Sequence, residues 1–180
     1  MKKEIRICGF GGQGVILSGF IIGKAASVFM EYNAVQSQSY GPEARGGAAR
    51  SEIVISDTKI GYPRPTSVDL LVAMSQEAFD SYRDDIRDDT MIVVDPDLIK
   101  DYDIGRSVYT VKAQKIAEEL GNKIVTNIVM VGAAMSIFSF LDLEAVRKAV
   151  IDSVPKKFIE LNTKAFEKGV QAGKNATKGL

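Results

Sequence analysis

Short apolar runs alternate along the chain with longer segments whose apolar residues recur at helical spacing. "IRICG" at residues 5–9 is β-branched and closed by glycine, which predicts a buried strand. A helix is predicted over 15–30, where Leu17, Ile21, Ala25 and Val28 recur at spacings of four, four and three on one face. "NAVQSQS" at 33–39 predicts a second strand. The first forty residues thus read as a β-α-β unit with glycines at its first strand-to-helix turn. Further strands are predicted at 50–56 ("RSEIVIS"), 69–74 ("DLLVAM"), 90–95 ("TMIVVD") and 107–111 ("SVYTV"). Helices fall at 76–84, capped by Ser75, and at 113–120. The last third is helical: 127–140, 143–153 behind a capping Asp142, and 156 to about 173, with a frayed tail over 172–180. Strands alternating with helices imply an α/β fold, a three-layer sandwich around a mostly parallel sheet, and 180 residues suit one domain.

Composition narrows the chemistry. Lys+Arg and Asp+Glu are both 23, so the net charge is zero and the basic excess of a nucleic-acid binder is missing. The one cysteine, Cys8, cannot form an internal disulfide, which fits a reducing cytoplasmic setting. It also rules out an iron–sulfur cluster held by four cysteines of this chain. With no histidine, Ser-His and Cys-His triads are impossible and the commonest metal ligand is absent, so neither a catalytic residue nor a metal site is expected. Cys8 itself reads as an inert buried thiol, and Asp95, closing a strand, as a turn cap. The N-terminus lacks the apolar core of a signal peptide. Residues 124–141 are uncharged for 18 positions, the threshold for a membrane span. Thr126, Asn127, Gly132, Ser136 and Ser139 interrupt that stretch, so a buried core or interface helix is expected and no membrane is a partner. A homodimer of the isolated chain through this segment stays an open alternative.

"GFGGQGV" places Gly9, Gly11 and Gly14 in the G-x-G-x-x-G spacing of a dinucleotide site. Gly9, Gly11, Gly12, Gln13 and Gly14 can present backbone N–H groups and a helix start to an anion or to a partner's backbone. A NAD site also needs an acid at the end of the second strand, and that strand ends in "VQSQSYG". Glu31 comes before the strand, and Arg45 is the first arginine after it. Nor is this a phosphate-binding P-loop, since Val15 and Ile16 follow Gly14 where a lysine is required. The alternatives are a packing turn without ligand and a stand-alone NAD- or FAD-binding oxidoreductase.

The second distinctive stretch is "QSQSYGPEARGGAARSEIVIS", residues 36–56. It brings Tyr40, Gly41, Glu43, Arg45, Gly46, Gly47 and Arg50 to the carboxyl edge of the sheet, where α/β folds bind ligands. Arg45 before two glycines can offer a guanidinium fork beside exposed N–H groups. The structural alternative is a pair of Arg45 or Arg50 with Glu43 or Glu52 that pins the loop.

With "YP" at 62–63, "DLLVAMSQEAFDSY" at 69–82 and, more loosely, "TNIVMVGA" at 126–133, these two loops resemble the gamma subunit of 2-oxoacid:ferredoxin oxidoreductases. "SYGPEARGG" is most similar to the 2-oxoglutarate branch, and less so to the pyruvate and ketoisovalerate branches. The resemblance implies a Rossmann-like subunit of a complex that oxidatively decarboxylates a 2-oxoacid with coenzyme A, giving acyl-CoA, carbon dioxide and reduced ferredoxin. It implies alpha, beta and ferredoxin-like delta partners, which carry thiamine diphosphate with Mg and the iron–sulfur clusters. On this reading the isolated chain is inactive and binds no cofactor alone. Its glycine turn and the Tyr40–Arg50 rim would face the partners near coenzyme A or the active site.

Overall fold

The computed structural model describes residues 1–39 and 48–178. Six strands form one sheet: β1 (Lys2–Gly9), β2 (Asn33–Ser39), β3 (Ala49–Ser56), β4 (Leu70–Ala73), β5 (Met91–Val94) and β6 (Tyr109–Thr110). Their order is β2-β3-β1-β4-β5-β6. β1, β4, β5 and β6 are mutually parallel, while β3 runs antiparallel to both β1 and β2. Only β3 is reversed, so the sheet is mostly parallel, as the alternation predicts.

The expected β-α-β unit needs one correction. β1 and β2 point the same way but are not neighbours, because β3 lies between them: Ile53 faces Ile5 on one side and Gln36 on the other. Burial explains this order. "ARSEIVIS" is buried at nearly every position and suits an inner strand, whereas the polar "NAVQSQS" is half-exposed and suits an edge.

Strand alternation divides the core. Ile5, Ile7, Ile53, Ile55 and Val72 face one side. There they meet α1 (Val15–Lys24) and its π-helical continuation (Ala25–Phe29), α3 (Ala113–Glu119), α4 (Thr126–Phe138), α5 (Leu143–Ser153) and α6 (Ile159–Ala176). Cys8, Leu71 and Ile92 face the other side, where α2 (Gln76–Tyr82) packs Phe79 and Tyr82 against them. The three layers are therefore lopsided, with one short helix on the second face.

The uncharged segment is consumed inside this chain. α4 is buried from Asn127 to Met135 and packs on α6 at backbone distance, because both helices carry glycine at the contact. A Cβ on Gly169 would lie 2.8 Å from the Val129 carbonyl carbon, and one on Gly173 would lie 2.9 Å from Ala133 Cα. The same contact carries the last helix past its expected end near residue 173, through Ala176. It also removes most of the 124–141 surface that a homodimer through that segment would need. Among the described residues, no helix is long and apolar enough to cross a membrane.

Caps behave as their residue types require. The Ser75 hydroxyl accepts from Ala78 N at 3.3 Å, and Asp142 accepts from Glu144 N at 2.8 Å. Asp95 is fully buried and accepts from Asp97 N at 2.9 Å and Gln114 N at 2.8 Å, which fastens the start of α3 to the end of β5. Burial pushes its carboxyl group above the ordinary range despite those bonds. One helical expectation fails. Val28 is 60% exposed, because the π-helical turn winds more slowly than an α-helix and carries Val28 off the core face.

Candidate functional site

The glycine turn joins β1 to α1 at the carboxyl edge of the sheet. Gln13 N donates to Phe10 O at 3.2 Å and closes the turn. The Gln13 side chain points back into the protein: its Oε1 accepts from Phe10 N at 2.6 Å, and its Nε2 donates to Met74 O at 2.9 Å. Gln13 therefore pins the turn to the end of β4, and what it offers outward is backbone alone. Gly12 and Gly14 have φ of 91° and 74°, in the left-handed region that favours glycine. Gly14 also lies against Asn127 of α4, whose Cγ would be 2.7 Å from a Cβ there.

α1 starts without a side-chain cap and with no acid in its first turn. The Gly14 carbonyl is drawn inward by Ser18 N and Ser18 Oγ, both at 2.9 Å, with Asn127 Nδ2 at 3.4 Å. The first-turn N–H groups carry the positive end of the helix dipole and have no intrahelical acceptor. A carboxylate, a phosphate or a partner's carbonyl would satisfy them. Gly11 has open space around its Cα.

Two grooves flank this turn. One of about 200 Å³ lies between Gln13, Leu98, Gln114 and Lys123. The other, of about 290 Å³, is more apolar, with Leu17, Val125, Pro155, Phe158 and Leu161 in its walls. Gly12 and Ile124 belong to both. Ile124 stands 75% exposed and Phe158 40% exposed, both in the wall of the more apolar groove.

Arg50 lies elsewhere. It sits one residue in from the carboxyl edge, opposite Cys8 and Ser39, and points to the α2 face. Its guanidinium stacks on Tyr82 at 5.6 Å and approaches Glu52 at 3.7 Å. Arg6 stacks on the same ring at 5.1 Å and holds Glu52 through Nε and Nη2, each at 2.9 Å. Arg50 is thus bound into a buried charge cluster, away from the two grooves. Tyr40, Gly41, Glu43, Arg45, Gly46 and Gly47 lie outside the described residues. Their flanks, Ser39 and Ala48–Ala49, emerge at the same sheet edge as the glycine turn, since Gly9 pairs with Ala49.

Cys8 lies beneath this edge, fully buried. Burial pushes its thiol up to about 12, with Arg6 opposing the shift. Among the described residues no group of three or more acidic, cysteine or histidine side chains is placed to hold a metal ion.

A family model described as pyruvate ferredoxin/flavodoxin oxidoreductase matches residues 4–172. The chain belongs to that family. Among its relatives, the 2-oxoglutarate synthase subunit KorC of Methanocaldococcus jannaschii is 47% identical over 178 residues, covering 97% of this chain and 95% of that protein. The KorC subunit of Methanothermobacter thermautotrophicus is 48% identical over 177 residues, covering 94% of each. The crystal structure of a keto/oxoacid ferredoxin oxidoreductase gamma subunit from Geobacter sulfurreducens superposes with a TM-score of 0.88 at 41% identity, over 98% of each chain. A 2-oxoglutarate:ferredoxin oxidoreductase from Magnetococcus marinus, bound to 2-oxoglutarate, coenzyme A and succinyl-CoA, gives 0.83 at 26% identity. There this chain is covered over 97% of its length but spans 31% of the larger one.

Within this oxidoreductase-family fold, the structure brings Gly9, Gly11, Gly12, Gln13 and Gly14 into one turn and separates Arg50 from it. Sequence reasoning missed Asn127, Ile124 and Phe158. Asn127 carried a signal, as an amide inside an otherwise apolar helix. Ile124 and Phe158 carried none, since only the fold leaves them uncovered.

Proposed function

We propose that this chain is the gamma subunit of a 2-oxoglutarate:ferredoxin oxidoreductase. The observation that carries the reading is 47–48% identity, across nearly the whole length, to 2-oxoglutarate synthase subunits. The complex would convert 2-oxoglutarate and coenzyme A to succinyl-CoA and carbon dioxide, passing two electrons to ferredoxin and releasing one proton. The donor set of this chain does not fit the groups that do the redox chemistry. One cysteine cannot ligate an iron–sulfur cluster, and no histidine is available as a base. On the resemblance to that family, thiamine diphosphate with Mg and the clusters would be carried by the alpha, beta and delta partners.

The contribution of this chain is a binding surface. The start of α1 supplies N–H groups to an anionic group or to a partner's backbone, and Ile124 and Phe158 supply apolar area in the groove beside it. Gln13 holds the turn rigid, so the N–H groups need no reorganisation on docking.

Ile124→Asp tests this in the co-expressed complex, because it places a charge on the exposed ridge without touching the core. Loss of co-purifying subunits, or a rise of roughly tenfold or more in the apparent KM for coenzyme A, is expected from about 1.4 kcal/mol of lost contact. Wild-type assembly together with wild-type kinetics overturns the placement. Failure of the wild-type chain to assemble with thiamine- and cluster-bearing subunits overturns the function.

A further inference from the structure

We infer that the loop from Thr58 to Thr66 is a preformed docking surface for an acidic segment of a partner subunit. It lies where β1 begins and β3 ends, at the opposite edge of the sheet from the glycine turn. The inference rests on the subunit reading proposed above, and its test separates the two.

The loop joins β3 to β4 and is fastened at both ends. At its start, Thr58 N donates to Ser56 Oγ at 3.1 Å. At its end, Thr66 N donates to the Glu4 carboxylate at 2.8 Å, and Thr66 Oγ1 and Ser67 N donate to the same group. Glu4 is buried on β1, so this anchor is part of the core. Between the anchors, Pro63 and Pro65 fix two backbone φ angles. A segment restrained in this way has little freedom left to lose on binding.

What the loop presents is a second, separate observation. "TKIGYPRPT" holds two cations and no acid. Lys59 and Arg64 are exposed, and Tyr62 is 56% exposed. None of the three makes a hydrogen bond or an ion pair among the described residues. Arg64 is an exception to its type: the six other described arginines each have an acid within 3.7 Å. Tyrosine and arginine are the side chains in which binding energy at protein interfaces concentrates.

Charge decides the occupant. Two unpaired cations with no acid between them favour an acidic surface and repel a basic one. A groove of about 280 Å³ opens between this loop and the start of β1, with Lys2, Ser56, Thr58, Lys59 and Tyr62 in its walls. It would take an Asp or Glu side chain of the partner, with the Tyr62 ring as its apolar wall.

Variants of this chain in the co-expressed complex test the surface, read as the apparent dissociation constant on dilution of the purified assembly. Arg64→Glu, Lys59→Glu and Tyr62→Ala should each raise it at least about tenfold. Lys168→Glu reverses an exposed charge on α6 and should leave it unchanged. In the isolated full chain all four variants should melt within about 2 °C of the wild type, since each replaces an exposed side chain. The inference is overturned if Arg64→Glu and Tyr62→Ala assemble like the wild type, if Lys168→Glu weakens assembly as much, or if lost assembly is matched by lost stability. It is also overturned if the isolated wild type dimerises and Arg64→Glu abolishes that dimer, because the occupant is then a second copy. A wild-type chain that joins no thiamine- or cluster-bearing subunit overturns the subunit reading instead.

Discussion

Gly14→Ala tests whether the glycine turn is built as described. Gly14 has φ of 74°, and a side chain in the left-handed region costs roughly 1–2 kcal/mol. The new methyl would also collide with the Asn127 amide, with Cγ only 2.7 Å away, and Asn127 is buried in α4 with little room to move. Overpacking of this kind adds roughly 1–3 kcal/mol. The total is about 2–5 kcal/mol. For a chain of this length each kcal/mol lowers Tm by roughly 2–4 °C, so a mid-range loss corresponds to a fall of about 7–14 °C. Gly11→Ala is the internal control, since nothing lies within 4 Å of its Cβ position, and it should cost under about 0.5 kcal/mol. The steric part is separable. In an Asn127→Ala background only the Cβ contact at 3.1 Å remains, so Gly14→Ala should cost little beyond the backbone part, giving a coupling of about 1–3 kcal/mol between the two sites. Urea and thermal unfolding of the four variants measure this cycle. Equal melting of Gly14→Ala and Gly11→Ala would refute the strained turn. Equal losses in both Asn127 backgrounds would refute the contact.

Two further outcomes follow from buried groups. With its thiol pushed up to about 12 by burial, Cys8 should resist alkylation in the folded chain at pH 8 and react once urea unfolds it. Its folded value lies above its ordinary value of 9.0, so its contribution to stability is complete below pH 9 and is lost as pH rises toward 12; rapid native labelling at pH 8 would contradict this. Glu52→Ala leaves Arg6 buried without its 2.9 Å partner and should cost about 3–5 kcal/mol in urea titration, whereas a loss below about 1 kcal/mol would show that stacking on Tyr82 and the Asp85 carboxylate 3.8 Å away suffice to hold the arginine.

Much of the architecture was legible because period and burial agree. β2 and α5 begin and end where their residue patterns place them, and Ser75 and Asp142 cap the helices they precede. Two features were not legible. The insertion of β3 between β1 and β2 depends on which strand can be buried on both faces, a comparison between segments that no single pattern contains. The exposure of Val28 depends on a π-helical turn, where a 3.6-residue count assigns a residue to the wrong face. At the site, the glycines were readable as a turn. The inward direction of the Gln13 side chain was not, because its partner Met74 O is 61 residues away in the sequence.

The strand order also sharpens why this turn does not make a dinucleotide site. In a dinucleotide fold the acid that holds the ribose ends the parallel strand beside β1. Here β1 has parallel β4 on one side, and on the side toward β2 its neighbour is antiparallel β3, so Gly9 faces the beginning of that strand, at Ala49, where an acid-bearing strand end would have to be. The end of β2 stands one strand further out and carries Gln38 and Ser39. The turn keeps what depends only on backbone, namely two left-handed glycines and an uncapped helix start. It lacks what depends on a neighbouring side chain. Beside those N–H groups, among the described residues, stand the exposed apolar side chains of Ile124 and Phe158, with Lys123 in the neighbouring groove, a set suited to binding an anion or a partner surface.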